Sequence, residues 1–293
     1  MRVAAARDVT APQSPSRAPN KLGRIAVLEY HLIGDHEGFY SVTREHFLSD
    51  LEYLYANGYR PITVSEMVDR KIDVPAGLSP VVFTFDDASP EQFRYVETNG
   101  KLEIDPTSAV GIWMDFAKTH RGWSNKATFC MLPAAAVGHA FFGDRGVQGQ
   151  KSEWRLQKVK WLAQQGFELC DHTLWHANLS RDAKHSKDPE AFVQEQIARG
   201  QLAIDSAVAG YKVRTFALPQ GAWPNNRALA HQGAWRDPKS GKVIAYKFDA
   251  ILEVGGGASR SPFDPQFDPL RLARLQVIGN SMQKSLEQLD KTG

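Results

Sequence analysis

The sequence predicts an α/β fold, a single (β/α) barrel, on two observations. Short apolar runs alternate with longer amphipathic stretches, which is how strands and helices follow one another in such a fold. The apolar runs lack regular polar alternation, which indicates strands covered on both faces, as in a parallel sheet or barrel. Barrels of this class reach the length of this chain, 293 residues, so its length does not require a second domain.

Seven apolar runs are assigned as barrel strands. In chain order they are RIAVLEY from Arg24, VVFTF from Val81, KATFCML from Lys126, GFELC from Gly166, VRTFAL from Val213, FDAILEV from Phe248 and RLARLQVI from Arg271. Two intervening helices have clear boundaries: one begins after Asp188 with Pro189 at its first position and extends to Ala207, and one begins after Thr43 and stops at Gly58. Three segments rich in Gly, Pro and polar residues are predicted to be loops that shape a site: residues 89–106, 138–149 and 224–241.

Composition and charge narrow the class of partner. The chain has 42% hydrophobic and 23% charged residues, as ordinary globular proteins do. Its 35 basic and 33 acidic side chains nearly cancel, so we expect a neutral partner and no nucleic acid. Because no run approaches the roughly 20 apolar residues of a membrane span, we expect none. A monomer is the default, and the sequence leaves the oligomeric state open.

The first 23 residues, rich in Pro, Ser, Ala and Arg, lack the apolar core of a signal peptide. We interpret residues 1–23 as a flexible leader, or as the linker left after removal of an export signal, before a catalytic domain at 24–293. Export to the periplasm, cell surface or medium is expected, with a cytoplasmic location left open. The two cysteines, Cys130 and Cys170, are expected to be buried free thiols rather than a bridge or zinc ligands.

Two carboxylates follow the second predicted strand, at its C-terminal end. VVFTF runs directly into Asp86 and Asp87, the position where barrel enzymes carry their active sites. Adjacent buried acids repel each other, and a divalent cation would compensate that repulsion. An Asp-Asp pair alone is weak support, since such pairs also start loops or cap helices.

The segment HTLWH follows the strand GFELC. Its His172 and His176 are four residues apart, so they share one face if the segment starts a helix. Two imidazoles and one carboxylate form a set of three ligands that leaves positions open for water and substrate. Spacing alone leaves open that both are ordinary loop residues. For one divalent metal, zinc is favoured, and cobalt, nickel and iron are alternatives.

The order of these motifs resembles the polysaccharide deacetylase family, also called NodB-homology or carbohydrate esterase 4 proteins. Residues 84–87 resemble its Thr-Phe-Asp-Asp segment, residues 172–176 its His-Ser/Thr-x-x-His segment, KATFCMLP its Ala-Thr-Phe strand and FALPQG its Pro-Tyr-Gly loop. The resemblance spans residues 24–278 and implies a distorted (β/α)7-type barrel. Tyr30 and His31, which end the first strand, are similar to the Tyr-His of the poly-N-acetylglucosamine deacetylase branch.

The resemblance implies a role for each site residue. Asp87, His172 and His176 would hold the metal, Asp86 would take a proton from the attacking water, and His31 would protonate the leaving amine or alcohol. In the loop Pro219-Gln220-Gly221, the backbone N–H of Gln220 would stabilise the oxyanion. The implied substrate is an acetylated oligo- or polysaccharide, with N-acetylglucosamine polymers favoured over acetylated xylan.

The loop departs from the family pattern at two positions. Ala217 stands where the family has arginine, and Gln220 where it has tyrosine. The missing arginine normally pairs with the base, and Arg274 on the last strand is the candidate replacement, although a surface arginine is an equal alternative. Two other functions stay open: a catalytically weakened carbohydrate-binding pseudo-enzyme, and a related C–N hydrolase acting on a small amide. For Trp113 and Trp123, core packing is favoured over stacking on sugar rings.

Overall fold

The computed structural model describes residues 22–135 and 140–292. The expected leader lies outside the described residues except for its last two positions, as does the start of the loop expected at 138–149. Among the described residues, no helix is long and apolar enough to cross a membrane.

The described residues form fourteen strands. They are β1 (Ala26–Tyr30), β2 (Leu32–Gly34), β3 (Ser41–Thr43), β4 (Tyr59–Ile62), β5 (Ser79–Phe85), β6 (Tyr95–Thr98), β7 (Lys101–Ile104), β8 (Ala127–Met131), β9 (Glu168–Asp171), β10 (Thr215–Ala217), β11 (Gln232–Arg236), β12 (Val243–Lys247), β13 (Ala250–Gly256) and β14 (Leu272–Gln276). The helices of the same residues are α1 (Arg44–Ala56), α2 (Val64–Val68), α3 (Ala109–Thr119), α4 (Arg155–Gln165), α5 (Pro189–Ala207), α6 (Ala228–His231) and α7 (Ser281–Thr292).

Seven of these strands close into a parallel barrel in the order β1-β5-β8-β9-β10-β13-β14, with β14 returning to β1. The barrel and all seven predicted strands are confirmed. The sequence reading missed β4, which pairs with the first half of β5 beside β8. Arg60 and Pro61 interrupt the apolar pattern of β4, and proline in a strand is confined mainly to edges and bulges, so sequence reading passes over it.

Alternate residues of each barrel strand face opposite layers. Large side chains such as Phe83, Phe129 and Phe216 belong to the outer core, which the helices cover. The other face carries smaller apolar residues together with polar ones that meet inside the barrel. At the N-terminal end of the barrel, Glu168 accepts hydrogen bonds from Thr215, Thr128 and the first turn of α2. At the opposite end the interior polar residues form the candidate site.

Both helices with predicted boundaries are confirmed. Asp188 caps α5 by accepting from the backbone N–H of Ala191, and Pro189 occupies its first turn. Thr43 caps α1 in the same way, and the chain leaves that helix through Gly58 at φ 79°. These helices pack their apolar faces on the outer side of the barrel.

Short strand pairs fill the connections. The parallel pair β2 and β3 follows β1, and the antiparallel hairpins β6–β7 and β11–β12 lie in or next to two of the segments predicted to be loops. Trp113 and Trp123 are 2% and 5% exposed and pack edge-on or tilted against each other and Phe83, so the prediction of core packing is confirmed.

The cysteine prediction is wrong. Cys130 on β8 and Cys170 on β9 stand directly opposite each other in the parallel register and form a disulfide. Their Cα atoms are 4.2 Å apart, a separation that neighbouring strands impose. The sequence does not contain this register, because pairing depends on how two distant strands align in the barrel.

Candidate active site

The motif residues converge at the C-terminal ends of the barrel strands. Asp86 and Asp87 follow β5, His172 follows β9, and His31 follows β1, whose last carbonyl accepts a hydrogen bond from the N–H of Asp86. They line a cleft of about 390 Å³ together with Glu29, Leu32, Tyr40, His176, Gln220 and Val254. The residues that the sequence singled out therefore meet at one end of the barrel.

One carboxylate and two imidazoles form a cluster suited to a metal. The Oδ1 atom of Asp87 lies 3.4 Å from Nε2 of His172 and 3.6 Å from Nε2 of His176. Ligands bound at about 2.0–2.1 Å in a tetrahedron lie at roughly these separations from one another. Asp87 Oδ1 and His172 Nε2 are buried without a hydrogen-bond partner among the described residues. A buried carboxylate oxygen and a buried imidazole nitrogen that lack hydrogen-bond partners are suitable ligand atoms for a divalent cation.

The HTLWH segment is a turn, so the helix considered from its spacing does not form. Buried Asp171 accepts the N–H of Thr173, and the Thr173 hydroxyl accepts the N–H of His176. Thr173 and His176 adopt φ of 69° and 67°, a region that non-glycine residues rarely occupy. Such strain persists only where the surroundings enforce it and is concentrated at functional sites.

The surroundings of the two histidines favour metal binding. The carbonyl of Ala217 lies 2.9 Å from Nδ1 of His172, so a proton on Nδ1 leaves Nε2 free as a ligand atom. Burial lowers the pKa of His176 to about 4, and the neighbouring His172 adds to this effect. A neutral imidazole is the form that binds a metal. Ala217, which lacks the family's arginine side chain, thus still contributes through its main chain.

Asp86 has different surroundings from its neighbour Asp87. Arg274 donates to both of its oxygens, Nη1 to Oδ1 and Nη2 to Oδ2, at 2.9 Å each. Burial alone would raise the pKa of Asp86, but Arg274 and then His172 outweigh it and lower that pKa. The guanidinium is fully buried and is also fixed by the Glu253 carbonyl and the Thr84 hydroxyl. Arg274 is therefore part of the site rather than a surface arginine.

Sequence reading missed two polar residues next to His31. Glu29 is buried, with Oε1 3.1 Å from Nη2 of Arg274 and 3.9 Å from Nε2 of His31. Gln92 is fully buried, and its amide donates to the main-chain carbonyls of His31 and Asp86. A signal existed for Glu29: it is the one charged residue of AVLEY, two positions before His31 and hence on the same strand face.

The Pro219-Gln220-Gly221 loop is tied to the histidine segment. The Asn178 side-chain amide donates to Oε1 of Gln220 at 2.9 Å, and Gln220 lines the cleft with φ 57°. Pro219 and Gly221 flank it in a short helical turn. Tyr40, which is half-exposed, also lines the cleft, and its ring centroid lies 4.9 Å from that of His31. Six predicted site residues thus line the cleft: His31, Asp86, Asp87, His172, His176 and Gln220. Arg274 contacts Asp86, and Pro219 and Gly221 flank Gln220.

Comparison with known proteins bears on the family and the fold. A sequence model of the family described as "Polysaccharide deacetylase" matches residues 74–233. No curated protein matches the sequence significantly.

Solved structures share the fold. The deacetylase PplD of Streptococcus pyogenes, in complex with acetate, has a TM-score of 0.60 at 16% identity over 91% of this chain and 97% of its own. IcaB from Ammonifex degensii has a TM-score of 0.57 at 18% identity, covering 90% of this chain and 96% of its own. BC0361, a polysaccharide deacetylase from Bacillus cereus, has a TM-score of 0.59 at 18% identity, covering 90% and 69%. Since the family model spans more than half of the sequence, this chain belongs to the polysaccharide deacetylase family.

Proposed function

We propose that this protein is a metal-dependent hydrolase that removes acetyl groups from an acetylated glycan, with N-acetylglucosamine polymers as the favoured substrate. One observation carries the proposal: the two adjacent carboxylates, Asp86 and Asp87, have different partners. Asp87 faces His172 and His176, whereas Asp86 is held by both amino groups of Arg274. This division supports a ligand role for Asp87 and a base role for Asp86.

The proposed cofactor is one divalent metal ion, with zinc favoured, held by Asp87, His172 and His176. The chemistry that such an ion supplies is polarisation of a carbonyl oxygen and acidification of water. Two of its ligand side chains, Asp87 and His176, are about 30% exposed, so the cluster is open to solvent and substrate on one side. An open position of this kind distinguishes catalytic from structural metal sites.

The chain's own residues would then move the protons. Asp86 is ionised at neutral pH because Arg274 stabilises its charged form, so it can accept a proton from the attacking water. The backbone N–H of Gln220 would stabilise the oxyanion of the tetrahedral intermediate. His31, on the Tyr40 side of the cleft, would deliver a proton to the leaving amine or alcohol.

The structure also bears on the two alternatives. The pseudo-enzyme hypothesis rested on the departures at Ala217 and Gln220. Arg274 answers the first of them, because it supplies a guanidinium to Asp86 from another strand. A small-amide hydrolase is expected to have a closed pocket. Here Tyr40 is 53% exposed at the cleft, which favours access by a chain of sugars.

We further propose that residues 24–293 act as one catalytic domain outside the cytoplasm. The outer core runs continuously from Ala26 on β1 to Leu286 on α7. The Cys130–Cys170 disulfide supports export, because disulfides persist mainly in oxidising compartments.

An acetate-release screen with elemental analysis tests the proposed function. The purified protein, loaded with zinc or cobalt, is incubated with N-acetylglucosamine oligomers, acetylated xylan and small acetamides, with the Asp86→Asn variant as control. We expect the wild type to release acetate from the N-acetylglucosamine oligomers and the Asp86→Asn variant to release none. Release from small acetamides alone would favour the small-amide hydrolase, and release from no substrate by a metal-loaded protein would favour the pseudo-enzyme.

A further inference from the structure

A second group of titratable residues adjoins the metal cluster. Glu29, His31 and Asp86 place ligand-type atoms within 4.8 Å of one another. A second metal does not fit there, because the guanidinium of Arg274 already occupies the space between the two carboxylates, 3.1 Å from Glu29 and 2.9 Å from Asp86. The guanidinium of Arg274 is therefore the cation of this group.

The acidic and basic side chains of this group do not balance in charge. Two buried carboxylates, Glu29 and Asp86, share one guanidinium, so the three side chains carry one net negative charge when both acids are ionised. Uncompensated buried charge is costly, and the imidazole of His31 is the titratable group that lies beside Glu29. Burial raises the pKa of Glu29, an effect that Arg274 opposes and Asp86 increases.

The position of the Glu29 carboxylate indicates how it acts. Its Oε2 accepts the N–H of Gly255 from β13, whereas its Oε1 is buried with no hydrogen bond and lies between Arg274 Nη2 and His31 Nε2. The distance to His31 is 3.9 Å, longer than a hydrogen bond. Catalytic hydrogen bonds are often long without substrate and shorten in the complex.

We propose that Glu29 is a positioning residue that couples the two proton-transfer groups of the site, holding Arg274 against Asp86 and orienting protonated His31 toward the leaving group. Glu29 touches neither the metal cluster nor the reacting atoms and acts through its two neighbours. The charged or titratable groups that face it are Arg274 from β14, Asp86 after β5 and His31 from its own segment. The proposal rests on the proposed deacetylase function.

The Glu29→Gln variant tests the coupling in the zinc-loaded full chain, because glutamine keeps the shape and removes the charge. We expect kcat for acetate release from N-acetylglucosamine oligomers to fall roughly 10- to 100-fold, with KM and zinc content unchanged. We also expect the alkaline limb of the pH–kcat profile to move to lower pH, because His31 loses the anion that favours its protonated form. Asp50→Asn is the matched control: it neutralises a buried carboxylate bonded to Tyr30 outside the cleft and should keep the wild-type profile.

A second variant and a second measurement keep the test decisive. Glu29→Asp retains the charge and should lower kcat without moving the alkaline limb. In metal-free protein, the NMR titration midpoint of the His31 ring, assigned with His31→Gln, should move to lower pH in Glu29→Gln. A wild-type NMR titration together with a wild-type pH–kcat profile in Glu29→Gln would overturn the proposal. If the wild type releases no acetate while the NMR midpoint still moves, the coupling stands and the deacetylase function fails.

Discussion

Arg274 donates two hydrogen bonds of 2.9 Å to the carboxylate of Asp86, although 188 positions separate the two residues in the chain. The barrel makes this contact possible by placing β14 next to β1, which itself pairs with β5. The guanidinium thus reaches Asp86 from the side where β14 closes the barrel against β1.

Replacing Arg274 by lysine tests whether both hydrogen bonds to Asp86 are needed. An ammonium cannot donate to both oxygens of Asp86 in one plane, so Arg274→Lys should lower kcat by about 10- to 100-fold, or about 1.4–2.7 kcal/mol in the activation barrier. Metal content should not change. The matched control is Arg271→Lys, which alters an exposed arginine of the same segment that pairs with Glu253. Wild-type kcat in Arg274→Lys would show that bidentate positioning of Asp86 is unnecessary.

The two adjacent aspartates should separate in a metal assay. Asp87→Ala removes one of three proposed ligands and should lose both the metal and acetate release. Asp86→Asn keeps the ligands and should retain the metal while acetate release falls by about 10²–10⁴-fold, the range of general base catalysis. Elemental analysis and kcat are measured on the same preparations. An active Asp86→Asn enzyme contradicts the assignment of the base.

The proposed oxyanion role of the Pro219-Gln220-Gly221 loop is tested at Gln220. If its main-chain N–H is the donor, Gln220→Gly should keep kcat within about threefold of wild type, since glycine adopts φ 57° without a steric cost. Asn178→Ala, which removes the contact to the Gln220 side chain, should have a similarly small effect on kcat. A loss of kcat of about 100-fold in Gln220→Gly, with metal retained, would instead assign the donor to the side chain.

Features that depend on neighbouring residues in the sequence were predicted, and features that depend on the alignment of distant strands were not. The seven barrel strands and the caps Thr43 and Asp188 are written in short apolar runs and adjacent polar residues, and all were predicted. The disulfide and the meeting of Glu29 with Arg274 depend on strand register, which one sequence does not state. The HTLWH turn was missed because the side chains of Asp171 and Thr173 accept backbone N–H groups within the segment, and these hydrogen bonds outweigh the helical spacing of its histidines.

The Cys130–Cys170 disulfide should contribute measurably to stability. Closing a loop of 40 residues restricts the unfolded chain, which corresponds to about 4 kcal/mol in the chain-entropy model. Thiol titration of the denatured protein should detect no thiols before reduction and both cysteines afterwards. Reduction should lower the melting temperature of the wild type and leave the Cys130→Ala/Cys170→Ala variant unchanged. Free thiols in protein purified from an oxidising compartment would contradict the bridge.

Asp50 should make stability depend on pH. Burial raises its pKa to about 6 from a usual value near 3.8, an effect that hydrogen bonding to Tyr30 opposes. The folded state therefore binds the proton more tightly than the unfolded chain, so the contribution of Asp50 is most favourable below pH 4. That contribution is lost as pH rises through 6, at a cost of up to about 3 kcal/mol.

Asp50→Asn should remove this dependence. Asparagine retains an acceptor for the Tyr30 hydroxyl and carries no charge, so the variant should gain stability relative to wild type between pH 4 and pH 7.5. Urea unfolding of metal-free protein at both pH values gives the difference, and the titration of the cleft residues cancels between variant and wild type. Asp115→Asn, at an exposed ion pair with Lys118, is the control and should show no such gain. A constant stability difference between Asp50→Asn and wild type across this range would show that Asp50 titrates with its ordinary pKa.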